Sequence, residues 1–281
     1  MKDIQAAPIR LGTARRALLA LAACAAIAWA AGAGLAAGPV AADGIRLADD
    51  LRGAVGPIWT LQRMSPRALA FVSDPVSGAH PVLALTLYPG DVAGPGGDGE
   101  STERAELSEA RAVQLPTGTD VWYGFSLYLP PDFPVVDRRL VLAQWKQARG
   151  DCSMDHSPAA ALRYRGGVLS ITVQDAGRRV TVFRETAEVR GRWLDLVVRL
   201  RVTPSPDGRL EAWLDGRRVA DYQGVLGYPD DRDRVYFKMG PYRDHLPVPM
   251  TVLLARFRRG TSHAEVDPRA SRDGVGGQTP R

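Results

Sequence analysis

The feature that most constrains this chain is a series of short segments in which apolar and polar residues alternate. In Trp193–Val202, every second residue is Leu or Val, and charged residues such as Asp195 and Arg199 stand between them. A period of two is typical of a half-buried β-strand, and the Gly, Pro and Asp clusters between segments favour turns. The same pattern recurs at Val82–Tyr88, Val121–Leu129, Leu140–Gln147, Val168–Gln174, Val180–Glu185, Arg209–Leu214, Val235–Met239 and Met250–Phe257.

Many strands without a strong amphipathic helix predict the fold class. We expect an all-β domain over residues 43–260, built as a sandwich of two facing antiparallel sheets. Such a sandwich commonly curves and offers a concave groove to an extended ligand. The polar, Gly-rich tail at 261–281 is predicted to be flexible.

The N-terminus has the pattern of an export signal. Three arginines lead into an apolar run at 17–37, and small residues follow at 40–42. We therefore predict a signal peptide over residues 1–42, cleaved after Ala42, and a secreted or periplasmic protein without stable membrane association. An uncleaved anchor is one alternative, because the run approaches the ~20 residues that span a bilayer. Lipidation at Cys24 is a second, less favoured alternative.

Charge and cysteine content narrow the function classes. The whole chain has 36 basic and 31 acidic residues. Without the four basic residues and one acidic residue of positions 1–42, 32 and 30 are left, a net charge of about +2. Dispersed and balanced charges argue against nucleic-acid binding. Cys152 would be the only cysteine left, so we expect no intrachain disulfide and a monomer held together by its core.

Three predicted strands place polar side chains together on one face. Taken alone, each strand is typical of the solvent face of a sheet. Together they supply two lysines, an arginine, a glutamine and a tyrosine, without the pair of carboxylates that a hydrolase would use. The residues are Arg104, Glu106 and Ser108 in the first segment, Gln144 and Lys146 in the second, and Lys238 and Tyr242 in the third.

The third segment, 235–245, looks like a strand that is interrupted at Gly240-Pro241. In a fully extended strand, Lys238 and Tyr242 would lie roughly 13 Å apart. We expect the bend to bring the two side chains closer and to place Arg243 as a second cation near the phenol.

This set of groups suits a polysaccharide that contains uronic acids. Such a polymer can be cleaved by β-elimination, in which the C5 proton is removed, the O4 leaving group departs and a C4–C5 double bond forms. Arg, Gln or Lys donors would neutralise the sugar carboxylate and stabilise the developing enolate. A tyrosine can serve as base and as acid.

Three motifs carry a resemblance to a known family. "RAEL" at 104–107, "QWK" at 144–146 and "YFKMGPYRD" at 236–244 resemble the polysaccharide lyase family that contains heparin lyase I and glucuronan lyase. Their order and spacing are also similar to those of jelly-roll alginate lyases. The resemblance covers about residues 55–260. It implies a β-jelly roll or concanavalin-like sandwich of two antiparallel sheets, with a concave groove, that cleaves a uronate polymer by elimination.

The resemblance also implies roles for individual residues. Tyr242 would be the catalytic tyrosine, and Lys238 the lysine that precedes it in the family motif. Arg104 and Gln144 would contact the substrate carboxylate, and Glu106 would orient Arg104 through a buried ion pair.

Lys146 is where the sequence departs from the family pattern, because relatives commonly have histidine there. Lysine can still neutralise a carboxylate as a point charge, but the identity of the base stays open. Tyr242 could make both proton transfers, which implies syn elimination, or another histidine could act, His156 first and His245 second. We therefore add Lys146 and His156 to the catalytic candidates, and Arg243 and His245 to the substrate contacts.

Two other functions remain possible from sequence. A non-catalytic carbohydrate-binding sandwich would keep the groove without the chemistry. A glycoside hydrolase would need two carboxylates ~5–5.5 Å or ~6.5–9.5 Å apart, and no such strand pattern is present. No cofactor is expected, although calcium could bind at Asp230, Asp231 and Asp233. Trp145 is predicted to lie in the core, whereas Trp213 could stack on a sugar.

Overall fold

A computed structural model describes residues 45–49, 51, 57–63, 65–78, 80–92, 101–149 and 156–270. These ranges fall within one compact unit, residues 39–281. The predicted signal peptide, its cleavage site and Cys24 lie outside the described residues. Within the ranges given, no helix combines the length and the apolar character needed to cross a bilayer.

The all-β prediction is confirmed, because antiparallel strands make up most of the described residues. Seven of the nine predicted strands agree with the observed ones to within a few residues. The other two are longer than predicted: the strand that starts at Val235 continues to Asp244, and the strand that ends at Leu214 begins at Thr203. The strands are β1 (Leu47–Asp49), β2 (Trp59–Arg63), β3 (Leu69–Ser73), β4 (Pro81–Leu87), β5 (Thr102–Glu109), β6 (Val121–Tyr128), β7 (Leu140–Gln147), β8 (Ala160–Arg165), β9 (Val168–Asp175), β10 (Arg178–Glu185), β11 (Trp193–Arg201), β12 (Thr203–Leu214), β13 (Arg217–Leu226), β14 (Val235–Asp244) and β15 (Met250–Gly260).

The strands form two facing layers that remain joined by hydrogen bonds. Neighbours follow the order β2-β5-β14-β7-β8-β9-β13-β12-β11-β6-β15-β4-β3, with β10 beside β9 and β1 beside β15. The predicted pair of separate sheets is therefore one continuous sheet that folds over. A single residue pair, Leu226 with Asp175, joins β13 to β9 at the fold.

Aromatic side chains fill the space between the layers. Phe237 of β14 contacts Tyr123 and Phe125 of β6, with ring centroids 5.1 and 5.4 Å apart. Trp145 of β7 packs on the same Phe237 at 4.9 Å and is buried, as predicted. Since these core residues take one face of β7 and β14, the alternate residues must point away from the core.

Strand β14 continues through Gly240-Pro241, so the predicted interruption there was wrong. Against β5 the register is unbroken, but against β7 one extra residue lies between Met239 and Tyr242. Gly240 has a φ of +123°, and a Cβ atom at this position would collide with the carbonyl of Ala105. The glycine therefore marks a β-bulge inside the strand rather than its end.

The chain beyond Gly260 is folded as far as residue 270, which corrects the predicted start of the flexible tail. A short helix α1, His263–Val266, packs over Gly124 of β6. Glu265 accepts a hydrogen bond from the backbone N–H of Thr261 at 2.8 Å and pairs with Arg46 at 3.0 Å. These local polar contacts, with burial of Val266, hold the segment on the second layer. Residues 271–281 lie outside the described residues.

Candidate active site

One cross-strand row runs over the outer face of the first layer. Arg104 of β5 pairs directly with Tyr242 of β14, Tyr242 with Val141 of β7, and Val141 with Arg163 of β8. Directly paired residues of antiparallel strands point to the same side of a sheet. The bulge beside Tyr242 and a second register shift beside Val141 bring Val141, rather than Leu142, into this row.

This row forms the floor of a cleft. Five residues predicted for the site line the cleft together, and the structure adds six that were not predicted. The predicted residues are Arg104, Gln144, Lys146, His156 and Tyr242, and the additional ones are Arg139, Val141, Ser157, Pro158, Arg163 and Arg179.

Tyr242 lies between two guanidinium groups. The Cζ atom of Arg104 is 4.8 Å from the centre of the tyrosine ring, and that of Arg139 is 5.6 Å away. Both distances are within cation–π range. The phenol is half-buried, and its hydroxyl makes no hydrogen bond to the part of the chain that the structure describes. It is therefore open to a ligand in the cleft.

Glu106 organises the side chains beneath Tyr242. Its carboxylate is fully buried and accepts hydrogen bonds from Lys238 Nζ at 2.6 Å and from Gln144 Nε2 at 2.5 Å. Arg104 Nε lies 3.0 Å from the same carboxylate as an ion pair that lacks hydrogen-bond geometry. The predicted buried pair between Glu106 and Arg104 is thus present, and Glu106 fixes three side chains at once.

Lys238 lies below the cleft instead of lining it. The residue is 2% exposed, and its ammonium group points to Glu106. Burial lowers the pKa of Lys238 to about 8, although the charge of Glu106 opposes this change. Lys238 was predicted to take part in catalysis directly. In the structure it instead holds the carboxylate of Glu106, which orients Arg104.

His156 is held by its surroundings at the wall of the cleft. Its Nδ1 atom is 3.1 Å from Asp231, its Nε2 atom is 3.6 Å from Asp230, and its ring stacks on Tyr228 at 4.0 Å. Both ring nitrogens thus face a carboxylate. Contacts of this kind fix the orientation of a histidine ring.

Arg243 and His245 lie away from the cleft, so their predicted contacts with substrate were wrong. Arg243 is fully buried and pairs with Glu103 at 2.7 Å, and His245 Nδ1 is 3.1 Å from the same carboxylate. Successive residues of a strand point to opposite faces. Because β14 continues through Tyr242, Arg243 must take the face opposite to the phenol.

Three arginines of the cleft were missed by the sequence reasoning. Arg139 precedes β7 and is neutralised by Asp244, with Nε donating to the carboxylate at 2.8 Å. Arg163 is on the side of β8 that faces the cleft. The alternation of side chains along β8 could have predicted this position if that strand had been recognised in the sequence. Arg179 is the second residue of β10 and reaches the cleft beside Ser157, a contact between distant segments that no local pattern indicates.

No group of three or more His, Cys, Asp or Glu side chains within the described ranges is placed to hold a metal ion. All three aspartates considered for calcium have protein partners. Asp230 and Asp231 face His156, and Asp233 accepts a hydrogen bond from the backbone N–H of Thr117 at 2.8 Å. The aspartates at 230–233 are thus engaged in holding loops together.

Comparison with known proteins identifies the family. A family model for polysaccharide lyases matches residues 52–265, which is more than half of the chain. The chain belongs to the polysaccharide lyase family. The resemblance inferred from the three motifs is thereby confirmed at the level of a polysaccharide lyase, which favours the lyase over the alternative of a non-catalytic sandwich. No curated protein matches the sequence of this lyase significantly.

Solved structures support the jelly-roll fold of this lyase. The endo-β-1,4-glucuronan lyase from the fungus Trichoderma reesei superposes with a TM-score of 0.61 and 21% identity, covering 79% of this chain and 97% of that one. Alginate lyase A1-II', a member of polysaccharide lyase family 7, gives 0.54 and 15%, covering 73% and 94%. A variant of the same alginate lyase with one histidine and one tyrosine replaced, solved in complex with substrate, gives 0.53 and 17%, covering 79% and 97%.

Proposed function

We propose that this lyase cleaves a uronic-acid polysaccharide by β-elimination and that Tyr242 makes the proton transfers. The observation that carries the proposal is the lining of the cleft. It combines four arginines, a lysine and a histidine with one phenol, and no Asp or Glu is among the described lining residues. A glycoside hydrolase would require two carboxylates there, whereas an anionic sugar requires the cations.

The cations would act on the sugar carboxylate. Arg104 and Lys146 line the cleft and would neutralise it, so that charge could develop at C5 as an enolate. Gln144 donates one amide hydrogen to Glu106 and retains a second for the substrate. Because Glu106 fixes both Arg104 and Gln144, these donors would be held in place before the substrate binds.

Tyr242 would act first as a phenolate that removes the C5 proton, and the resulting phenol would give that proton to the O4 leaving group. The C5–H and C4–O4 bonds break, the C4–C5 double bond forms, and the phenolate is regenerated. The guanidinium groups of Arg104 and Arg139 lie beside the ring and would stabilise this phenolate. His156 is less suited to act as the base, because both of its ring nitrogens already face carboxylates.

The test is the absorbance of the new double bond during incubation with glucuronan, alginate and heparin. Tyr242→Phe should lower kcat at least a thousandfold and retain polymer binding, since general acid–base catalysis contributes roughly 10²–10⁴-fold per step. Tyr88→Phe is the matched control, because Tyr88 packs under Arg67 outside the cleft. Full activity of Tyr242→Phe on every polymer would exclude the tyrosine mechanism.

A second variant assigns the base. His156→Gln should keep kcat within tenfold of the wild type if Tyr242 makes both transfers. A loss as large as that of Tyr242→Phe would instead make His156 the base and imply two proton-transfer groups.

We further propose that the enzyme is exported and works as a monomer on an acidic polymer outside the cytoplasm. The support is the signal pattern at residues 1–42. N-terminal sequencing of the secreted or periplasmic protein should give a start at Asp43, and an intact or lipidated N-terminus would contradict cleavage after Ala42.

A further inference from the structure

Two arginines of the cleft have no carboxylate partner. Arg163 donates from Nε to the hydroxyl of Thr172 at 3.0 Å, and Arg179 donates from Nη2 to the hydroxyl of Ser157 at 3.3 Å. Neither residue forms an ion pair with the part of the chain that the structure describes. Elsewhere in the same cleft, Arg139 is neutralised by Asp244. Within the described residues, Arg163 and Arg179 therefore add positive charge that no carboxylate balances.

The charge of Arg163 is costly, because the side chain is largely removed from water and other cations lie nearby. Arg163 is mostly removed from water, and its burial together with the nearby charges of Arg179 and Arg139 lowers its pKa to about 10. Charges of like sign that share a poorly solvated site repel one another. An anionic ligand between Arg163 and Arg179 would relieve this repulsion and accept charge-assisted hydrogen bonds.

The position of the pair distinguishes it from the reacting centre. Arg104 is next to Tyr242 in the cross-strand row, whereas Arg163 lies two strands away on the other side. At ~4.8 Å between strands, the Cα atoms of Tyr242 and Arg163 are separated by roughly 10 Å. A sugar carboxylate held beside Arg104 therefore lies on the opposite side of Tyr242 from Arg163.

We propose that Arg163 and Arg179 form a second carboxylate subsite, which binds a uronate in a different sugar of the polymer from the one that is cleaved. The polymer then lies across the strands, from β5 toward β8 and β10. The enzyme selects chains that carry carboxylates on closely spaced sugars and disfavours short or partly neutral ones. This inference rests on the proposed function, because it takes the ligand of the cleft to be a polyuronate.

The experiment measures kcat and KM on glucuronan and alginate for Arg163→Gln, Arg179→Gln and the double variant. Each single substitution should raise KM about tenfold, the lower end for a hydrogen bond to a charged group, and leave kcat within threefold. The effect should shrink at high salt, because Arg179 is exposed and screened. On carboxyl-reduced polymer the variants and the wild type should differ little.

Arg165→Gln is the matched control. Arg165 is on the same strand as Arg163 and shares its parity, but it is paired with Asp137 and does not line the cleft. Its KM should change less than twofold. Because Arg179 is exposed, Arg179→Gln tests the subsite even if Arg163→Gln fails to fold.

Affinity electrophoresis in gels containing the same polymers separates this inference from the elimination chemistry. If the wild type forms no unsaturated product but is retarded by polyuronate, and Arg179→Gln is not retarded, the proposed function fails and the subsite stands. If KM and retardation are unchanged in both single variants, or if kcat falls while KM stays constant, the second subsite is refuted.

Discussion

Replacing Glu106 by Gln should destabilise the protein by an amount that depends strongly on pH. The substitution preserves the shape of the side chain but removes the negative charge that Lys238 faces at 2.6 Å. Lys238 is 2% exposed, so its ammonium group would remain buried without a counter-charge. Removing one partner of a buried ion pair typically costs about 3–5 kcal/mol.

Loss of the lysine proton limits this cost. The pKa of Lys238 in the wild type is about 8, and each unit by which the pH lies below that value corresponds to about 1.4 kcal/mol. In Glu106→Gln, the amine of Lys238 can lose its proton instead of staying charged without a partner. The free energy of unfolding would then fall below that of the wild type by about 1 kcal/mol at pH 7 and about 4 kcal/mol at pH 5. Above pH 9 both folded proteins hold a neutral lysine, so the part of the difference that comes from Lys238 should vanish, whereas the part that comes from the Glu106–Arg104 ion pair should remain.

The direction follows from proton linkage. The unfolded lysine titrates near 10.5 and the folded one near 8, so the unfolded chain binds more protons between these values and stability from this group rises with pH. In Glu106→Gln the folded pKa falls further, which extends the unfavourable range to lower pH. The free-energy difference between the two proteins must therefore be largest in acid.

Urea unfolding followed by tryptophan fluorescence at pH 5, 7 and 9 measures this difference. Glu103→Gln is the matched control, since Glu103 is equally buried but pairs with Arg243, which cannot lose its proton. Its loss of stability should persist at pH 9. The double variant Glu106→Gln with Lys238→Met should recover most of the stability at pH 5. A Glu106→Gln penalty that is equal at pH 5 and pH 9 would refute the reasoning.

Two other substitutions test the geometry of the site. Gly240→Ala should lower the free energy of unfolding by at least about 2 kcal/mol and reduce activity, because the φ of +123° at Gly240 and the nearby Ala105 carbonyl leave no room for a methyl group. Thermal unfolding measures this loss. Gly166→Ala is the milder control, because the Cβ position of Gly166 faces open space. Asp231→Asn should raise KM a few-fold and leave kcat within threefold of the wild type, because it weakens the contact that holds the His156 ring and does not touch the phenol. A hundredfold loss of kcat in steady-state assays would contradict the assignment of both proton transfers to Tyr242.

The alternation of apolar and polar residues was enough to predict nine of the strands, because the apolar face of each packs into one aromatic and aliphatic core. Leu140–Gln147 was predicted with its observed bounds, and the inward position of Trp145 followed from the same parity. The error at Arg243 came from reading Gly240-Pro241 as the end of a strand. Once β14 is continuous, neighbouring residues must face opposite sides, and that signal was present in the sequence.

Other parts of the site depend on contacts between distant segments, which sequence patterns do not encode. Arg163 and Arg179 look like ordinary solvent-facing arginines until β8 and β10 are placed beside the phenol. The shift that turns Val141 toward the cleft has no local marker. Helix α1 has only four residues, too few for periodicity, and its position depends on the small size of Gly124 in another strand.

The extra residue of β14 makes the direction of the Tyr242 phenol depend on the length of the chain between Met239 and Tyr242. Deleting one residue between Met239 and Tyr242 would restore regular pairing with β7, and from there onward it would exchange the two sides of the strand. The phenol would then enter the space that Arg243 occupies beside Glu103, and the guanidinium would emerge where the sugar should bind. A homologue that is shorter by one residue at this point would therefore not be expected to share the chemistry, however similar its remaining sequence.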